Sequence, residues 1–451
     1  MRHRAEQQYI DLFKQTQEMI NRHSAPVINA RREEAMQEFE RLGWPDSKNE
    51  KYRYTPLQSL MEPDFALNLN RLSMPTETQE LFRCDVPNLS TATYFVANDT
   101  FLPRTAYPLP EGVLMGSLSQ LAQEHPDLVT RYYGQLARCG EDAVTAFNTA
   151  FVQDGVLLYV PKGVVVEKPI QLVNTLRSEV DFMANRRLLV VLERGAQARL
   201  LMCDHATPGS TQVSVQVSEV FVGEGAIFDL YELEETHAAT TRLHNLYIRQ
   251  ESDSNVQWST INLTSGTSRT SLWATLDGPR AELNASGMVI ADKKQHVDNH
   301  TTILHNAPQC TSHELMKYVL NEEATGVFSG LVKVMPGADK TISEQTNRNL
   351  CATTTARMFT RPQLEIYADD VKCSHGATVG QLNEAALFYM RQRGISEAEA
   401  RLMLMFAFVG EAIETIRMDA LKDRLHHLVE KRFRGELGQC KGCKVPKGVN
   451  P

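Results

Sequence analysis

The chain has 451 residues, of which 42% are hydrophobic and 23% charged, and it carries a net charge of −8. That composition supplies a sizeable core and excludes a disordered chain, while the length exceeds one ordinary compact core. The acidic balance argues against a nucleic-acid partner, whose phosphates require a basic face.

The first residues, MRHRAEQQYIDLFKQTQEMI, are charged and amphipathic and lack the apolar run and small-residue cleavage site of a secretory leader. No stretch approaches the roughly 18 apolar residues of a membrane span. Eight cysteines are scattered without the density of a disulfide framework. The expected setting is therefore reducing and cytoplasmic.

Residues 1–150 read as a mainly helical region. Tyr9, Leu12, Phe13 and Ile20 recur at helical spacing, Gly43 is a stop signal, and SLSQLAQEHPDLVTRYYGQL and EDAVTAFNTAF repeat the pattern further on. At Gly155 the character changes. GVLLYVPKGVVVEKPIQLV gives short β-branched runs broken by Pro161, Gly163 and Pro169, and Val213, Val215 and Val217 share one face of an alternating strand. The Gly-Ala steps at Gly195 and Gly225 lie about thirty residues apart, with looser echoes at Gly278 and Gly326. This self-similarity predicts a right-handed parallel β-helix over 151–378; short strands between turns also fit a β-sandwich or jelly roll. Residues 379–451 read as a C-terminal helical domain with a cysteine-containing tail. Asn383 and Ser396 are predicted N-caps, and Leu402, Met405, Phe406, Val409, Ile413 and Ile416 form a stripe suited to packing on the β core or to docking a partner.

The candidate chemistry centres on YADDVKCSHGATVG, from Tyr367 to Gly380. Read as one strand, LEIYADDVKCSHGA places Cys373 and His375 on a common face with Asp369 and sends Asp370 the other way. Adjacent carboxylates facing apart cannot act as an acid–base pair, which weakens a stand-alone β-helix lyase or hydrolase acting on a polysaccharide. Thiolate and imidazole together suit zinc, copper or an iron–sulfur centre, yet two ligands leave a site unclosed. A buried thiol beside a hydrogen-bonded ring is the plainer alternative. His296, His300, His305 and His313 cluster in sequence, but on strand and loop their expected roles are structural. Cys440 and Cys443 have metal-pair spacing without a second pair, in a Lys-, Gly- and Pro-rich tail. No phosphate loop or nucleophile elbow occurs.

Several long segments resemble the SufB/SufD family of iron–sulfur cluster assembly proteins: NEKYRYTPL, YVPKGVVVEKPIQLV, RPQLEIYADDVKCSHGATVGQL and LFYMRQRGISEAEARLMLMFAF. The likeness is closer to the SufD branch. A SufB-like chain would show Cys-Gly-Ala-His and Leu-Glu-His-Glu-Ala-Thr segments where this one has LCATTTARMF and LEIYADDVKCSHGAT, so Cys351 is not assigned a sulfur-accepting role. The resemblance implies a right-handed parallel β-helix between a helical N-terminal region and a small C-terminal helical domain, and a non-catalytic scaffold. It implies pairing with a SufB-like paralogue through the β-helix and with a SufC-like ATPase through the C-terminal domain, with a homodimer plausible for the isolated chain. A transient iron–sulfur cluster would then form at the interface with SufB. The resemblance makes His375 the metal ligand from this side, with Cys373 beside it as a second cluster-binding candidate.

Overall fold

A computed structural model describes residues 4–71, 90–103 and 107–437. Its centre is a parallel β-solenoid built of two facing sheets. The first stacks Ala92–Ala97, Ile170–Leu176, Gln197–Ala206, Ile227–Glu235, Asn255–Thr264, Glu282–Ala291, Thr311–Leu320, Ile342–Cys351 and Lys372–Gly380 in order. The second stacks Val156–Val160, Phe182–Leu192, Gln212–Val222, Thr240–Gln250, Thr267–Leu276, His296–His305, Thr325–Val334 and Arg357–Ile366. Successive strands of the chain alternate between the sheets, so each pair of strands forms one coil. The solenoid expectation is met and the sandwich alternative is not.

The spacing of the coils follows from their turns. Gly163, Gly195 and Gly225 adopt φ of 72°, 68° and 66°, and Asp253, Arg280, Gln309 and Lys340 continue with φ between 59° and 62°. Each donates its backbone N–H to a carbonyl of the next coil, as Gly195 does to Glu224 at 2.8 Å and Gln309 to Asp339 at 2.8 Å. The column is one left-handed corner repeated through seven coils. Gly278 lies just before the corner at Arg280, whereas Gly326 sits inside the strand Thr325–Val334, so only the first of the looser echoes belongs to the corner.

The interior is apolar along one side, with Leu200, Leu230, Trp258, Leu283 and Phe328 among its buried residues. Along the other side it is polar. Arg242 binds Asp204 at 2.9 Å and Glu232 at 2.7 Å, and Glu232 also accepts from Trp258 at 2.9 Å. Burial pushes the Glu232 carboxyl up, but His244 and Arg242 outweigh it and hold the group at about 2. A charge taken from water survives there because both carboxylate oxygens have partners.

Helices pack on both outer faces. The N-terminal helices Arg4–Arg22 and Arg32–Leu42 pack with Ala143–Phe151 on the second sheet, around Tyr9, Phe39, Trp44 and Phe147. Val213 and Val215, the face singled out by alternation, point outward into this layer rather than into the solenoid. On the first sheet lie the helices Glu384–Gln392, Glu397–Glu414 and Asp419–Phe433. Asn383 and Ser396 cap the first two by accepting from Ala386 and Glu399. Val409 and Ile413 of the predicted stripe bury against Tyr231, Ile261 and Met288. Among the described residues no helix is long and apolar enough to cross a membrane.

The two ends of the solenoid differ. At the start, the short strands Thr100–Leu102 and Leu114–Ser117 add antiparallel to Ala92–Ala97 and Val156–Val160. At the finish, Arg357–Ile366 and Lys372–Gly380 are the outermost strands of their sheets, and among the described residues nothing pairs with their free edges.

Candidate functional site at the open end of the solenoid

The stretch read as a single strand is divided. The strand Arg357–Ile366 stops, residues 367–371 form the last corner, and Lys372–Gly380 begins after it. Asp369 and Asp370 lie in that corner. The Asp370 carboxylate is tied to Lys340, and its carbonyl accepts from the Lys340 backbone at 2.6 Å. The corner cancels the parity linking Tyr367 and Asp369 to Cys373, and the two aspartates form no acid–base pair.

Cys373 and His375 both lie beyond the corner and share the inward face of the last strand. Their register partners are Ser343 and Gln345, followed by Asn347 beneath Ala377 and Asn349 beneath Val379. Those four are 0–3% exposed, whereas His375 is exposed because no further coil covers it. Cys373 is half-buried against the interior, and burial pushes its thiol up, partly offset by a hydrogen bond with the Ser343 backbone. The His375 ring has no hydrogen-bond partner among the described residues. Ile366, Tyr367 and Val379 leave apolar surface around the same end, at 43%, 57% and 52% exposure.

Beneath these two residues the polar interior is ordered. Ser343 shares a 2.8 Å hydrogen bond with Ser312, which is 2.9 Å from His305 Nε2. Gln345 donates to Glu314 at 2.7 Å, and Asn347 accepts from Thr360 at 2.7 Å. Burial pushes the Glu314 carboxyl up to about 7. Glu314 and Gln345 were not singled out from sequence. Their signal is a repeated pattern of a small residue, any residue, then a polar one: Ser312-His-Glu314, Ser343-Glu-Gln345, Cys373-Ser-His375.

The other predicted candidates fall apart spatially. His296 Nε2 lies 2.8 Å from the Thr55 hydroxyl on the outer face, His300 lies 3.2 Å from Asp298, His305 points inward, and exposed His313 lies 3.8 Å from Glu344. Among the described residues no group of three or more His, Cys, Asp or Glu could hold a metal. Cys440 and Cys443 lie outside the described residues. A polar groove of about 470 Å³ beneath the C-terminal helices is lined by His313, Glu344, Arg348, Glu411 and Arg417. Its arginines are already engaged, Arg348 by Glu411 at 3.0 Å and Arg417 by Asp229 at 3.1 Å.

The fold is a parallel solenoid closed by added strands at one end and open at the other, with an imidazole and a thiol on the open rung. Residues 174–408 match the family model "SUF system FeS cluster assembly, SufBD core domain", and residues 3–172 match "SufBD protein N-terminal region". The chain belongs to the SufBD family of iron–sulfur cluster assembly proteins. It is 29% identical to an iron–sulfur cluster assembly SufBD family protein of Synechocystis, over 92% of this chain and 93% of that one. It is 28% identical to iron–sulfur cluster assembly protein SufD of Escherichia coli, over 89% and 92% of the two chains. It is 26% identical to iron–sulfur cluster assembly protein SufD of Bacillus subtilis, over 72% and 75%. Within its family the chain is SufD-like.

Proposed function

We propose that the chain is a non-catalytic scaffold subunit that pairs through its open solenoid end with a SufB-like paralogue, and that an iron–sulfur cluster is assembled at their interface as cargo. His375 supplies an imidazole ligand from this side, with Cys373 as the second donor. The observation that supports the reading is the terminal rung itself, which brings a thiol and an imidazole, free backbone edges and exposed apolar side chains together. Exposed strand edges are normally blunted or paired, and a two-ligand set needs completion by another chain. The raised Cys373 thiol stays protonated until a metal displaces the proton.

The reading divides the chain into a mainly helical region at 1–150, the solenoid at 151–378 and a helical domain at 379–451, with the strands Ala92–Ala97, Thr100–Leu102 and Leu114–Ser117 of the first region joining the sheets and the last strand running on to Gly380. Phe388, Tyr389 and Met403, left 65%, 60% and 47% exposed on the C-terminal helices, form the docking surface for a SufC-like ATPase. A reducing compartment such as the cytoplasm keeps the thiols free.

Co-expression with SufB-like and SufC-like chains tests this directly. The three are expected to co-purify. His375→Ala is expected to leave assembly and melting unchanged while lowering cluster yield by about 10-fold or more. A chain that elutes alone sinks the scaffold reading, and an undiminished yield in the assembled complex removes His375 from it.

A further inference from the structure

Three successive coils place one interior column under His375. Glu314 pairs in register with Gln345, and Gln345 with His375; on the opposite sheet Thr301 pairs with Gly330, and Gly330 with Pro362. The Gln345 side chain crosses the core toward Gly330, where an added Cβ would lie 2.4 Å from its Nε2. A glycine on this inward face makes room for the amide. The Nε2 group donates to Glu314 in the coil below at 2.7 Å, which leaves Oε1 as the amide's free acceptor. That oxygen belongs to a residue with 0% exposure and has no partner among the described residues. A buried amide oxygen without a donor is costly, so it marks a place where a donor is expected.

We infer that Glu314 and Gln345 are positioning residues for His375: Glu314 fixes the amide of Gln345, and the freed Oε1 accepts the proton-bearing nitrogen of the His375 ring as the partner closes the end. The physical reason is tautomer control. A neutral imidazole has one N–H and one lone pair, and a fixed acceptor behind the ring selects which nitrogen faces outward to bind metal. An unoriented ring would divide between tautomers and rotamers, and each wrong arrangement would weaken the ligand. The inference rests on the reading of His375 as a ligand.

Gln345→Met removes the amide while keeping the side-chain length. In the full complex, with histidine nitrogen labelled and His375 assigned by comparison with His375→Ala, ring nitrogen shifts report the tautomer. The wild-type complex is expected to hold one tautomer at His375, and Gln345→Met a mixture. Ferrous iron affinity of the complex, with iron as the only probe, is expected to fall about 10-fold or more. If Gln345→Met does not fold, Gly330→Ala displaces the same amide and carries the same expectation. Glu314→Gln retains an acceptor for Nε2 and is expected to preserve most of the effect. Loss of iron binding in His375→Ala with an unchanged tautomer and affinity in Gln345→Met overturns the positioning role alone. Undiminished cluster yield in His375→Ala overturns the ligand reading instead, whatever the ring nitrogens report.

Discussion

His305 shows at one residue how the solenoid interior treats a titratable group. It has 0% exposure, its Nε2 lies 2.9 Å from the Ser312 hydroxyl, and burial lowers its pKa from 6.5 to about 4. The folded state therefore prefers the neutral ring. The stabilising contribution is complete above pH 6.5 and is lost as pH falls from 6.5 to 4, about 3 kcal/mol by linkage. Glu234 and Glu314, both raised to about 7 by burial, act in the opposite sense between 4.5 and 7. A comparison of variants isolates the histidine. His305→Gln keeps a hydrogen bond to Ser312, and its melting temperature is expected to fall less between pH 6.5 and 4 than that of the unmodified chain; parallel curves would contradict the assignment. In sequence His305 looked like one of a cluster with His296 and His300. The strand Thr311–Leu320, whose Ser312 meets His305 in the interior, is what shows that it belongs inside.

At the scale of the element, the corner column explains what the repeat signal meant. Gly195 and Gly225 were legible because a left-handed corner is most easily made by glycine. The same corner at Asp253, Arg280 and Gln309 was not, since residues with a Cβ carry no such mark while adopting φ near 60°. Gly225 has nothing within 4 Å of an added Cβ, so Gly225→Ala meets only backbone strain and is expected to cost about 1 kcal/mol. Gln309→Gly relieves strain while adding unfolded-state freedom, and is expected to lie within about 0.5 kcal/mol of neutral. Urea midpoints at unchanged slope check both; equal losses would mean that the corner does not govern these sites. The terminal strand was half legible. Alternation correctly joined Cys373 with His375, because both lie after the corner, and wrongly joined them with Asp369, which lies in it. Glu314 and Gln345 escaped because polar residues in a strand ordinarily mark the wet face, whereas here both faces are polar: exposed His313 and Glu344 look outward while Glu314 and Gln345 belong to the interior column.

For the whole molecule, the asymmetry of the ends decides the account. Hydrophobic runs, turn spacing and cap residues favoured a solenoid between two helical regions while leaving a β-sandwich or jelly roll open. What they could not indicate is which surfaces the helices leave bare, since Val213 and Val215 would be equally satisfied inside the solenoid or under the N-terminal layer. Helices pack on both broad faces and the added strands cover the starting end, which leaves the rung bearing His375 as the solenoid's open end and the place where the proposed partner would sit. Hydrogen exchange across residues 372–380 measures this most directly. In the isolated chain the amides on the free edge of Lys372–Gly380 are expected to exchange quickly, and mixing with the SufB-like paralogue is expected to protect them together with 357–366. Unchanged exchange of the terminal rung in a complex that nevertheless forms would place the partner elsewhere and contradict the shared site.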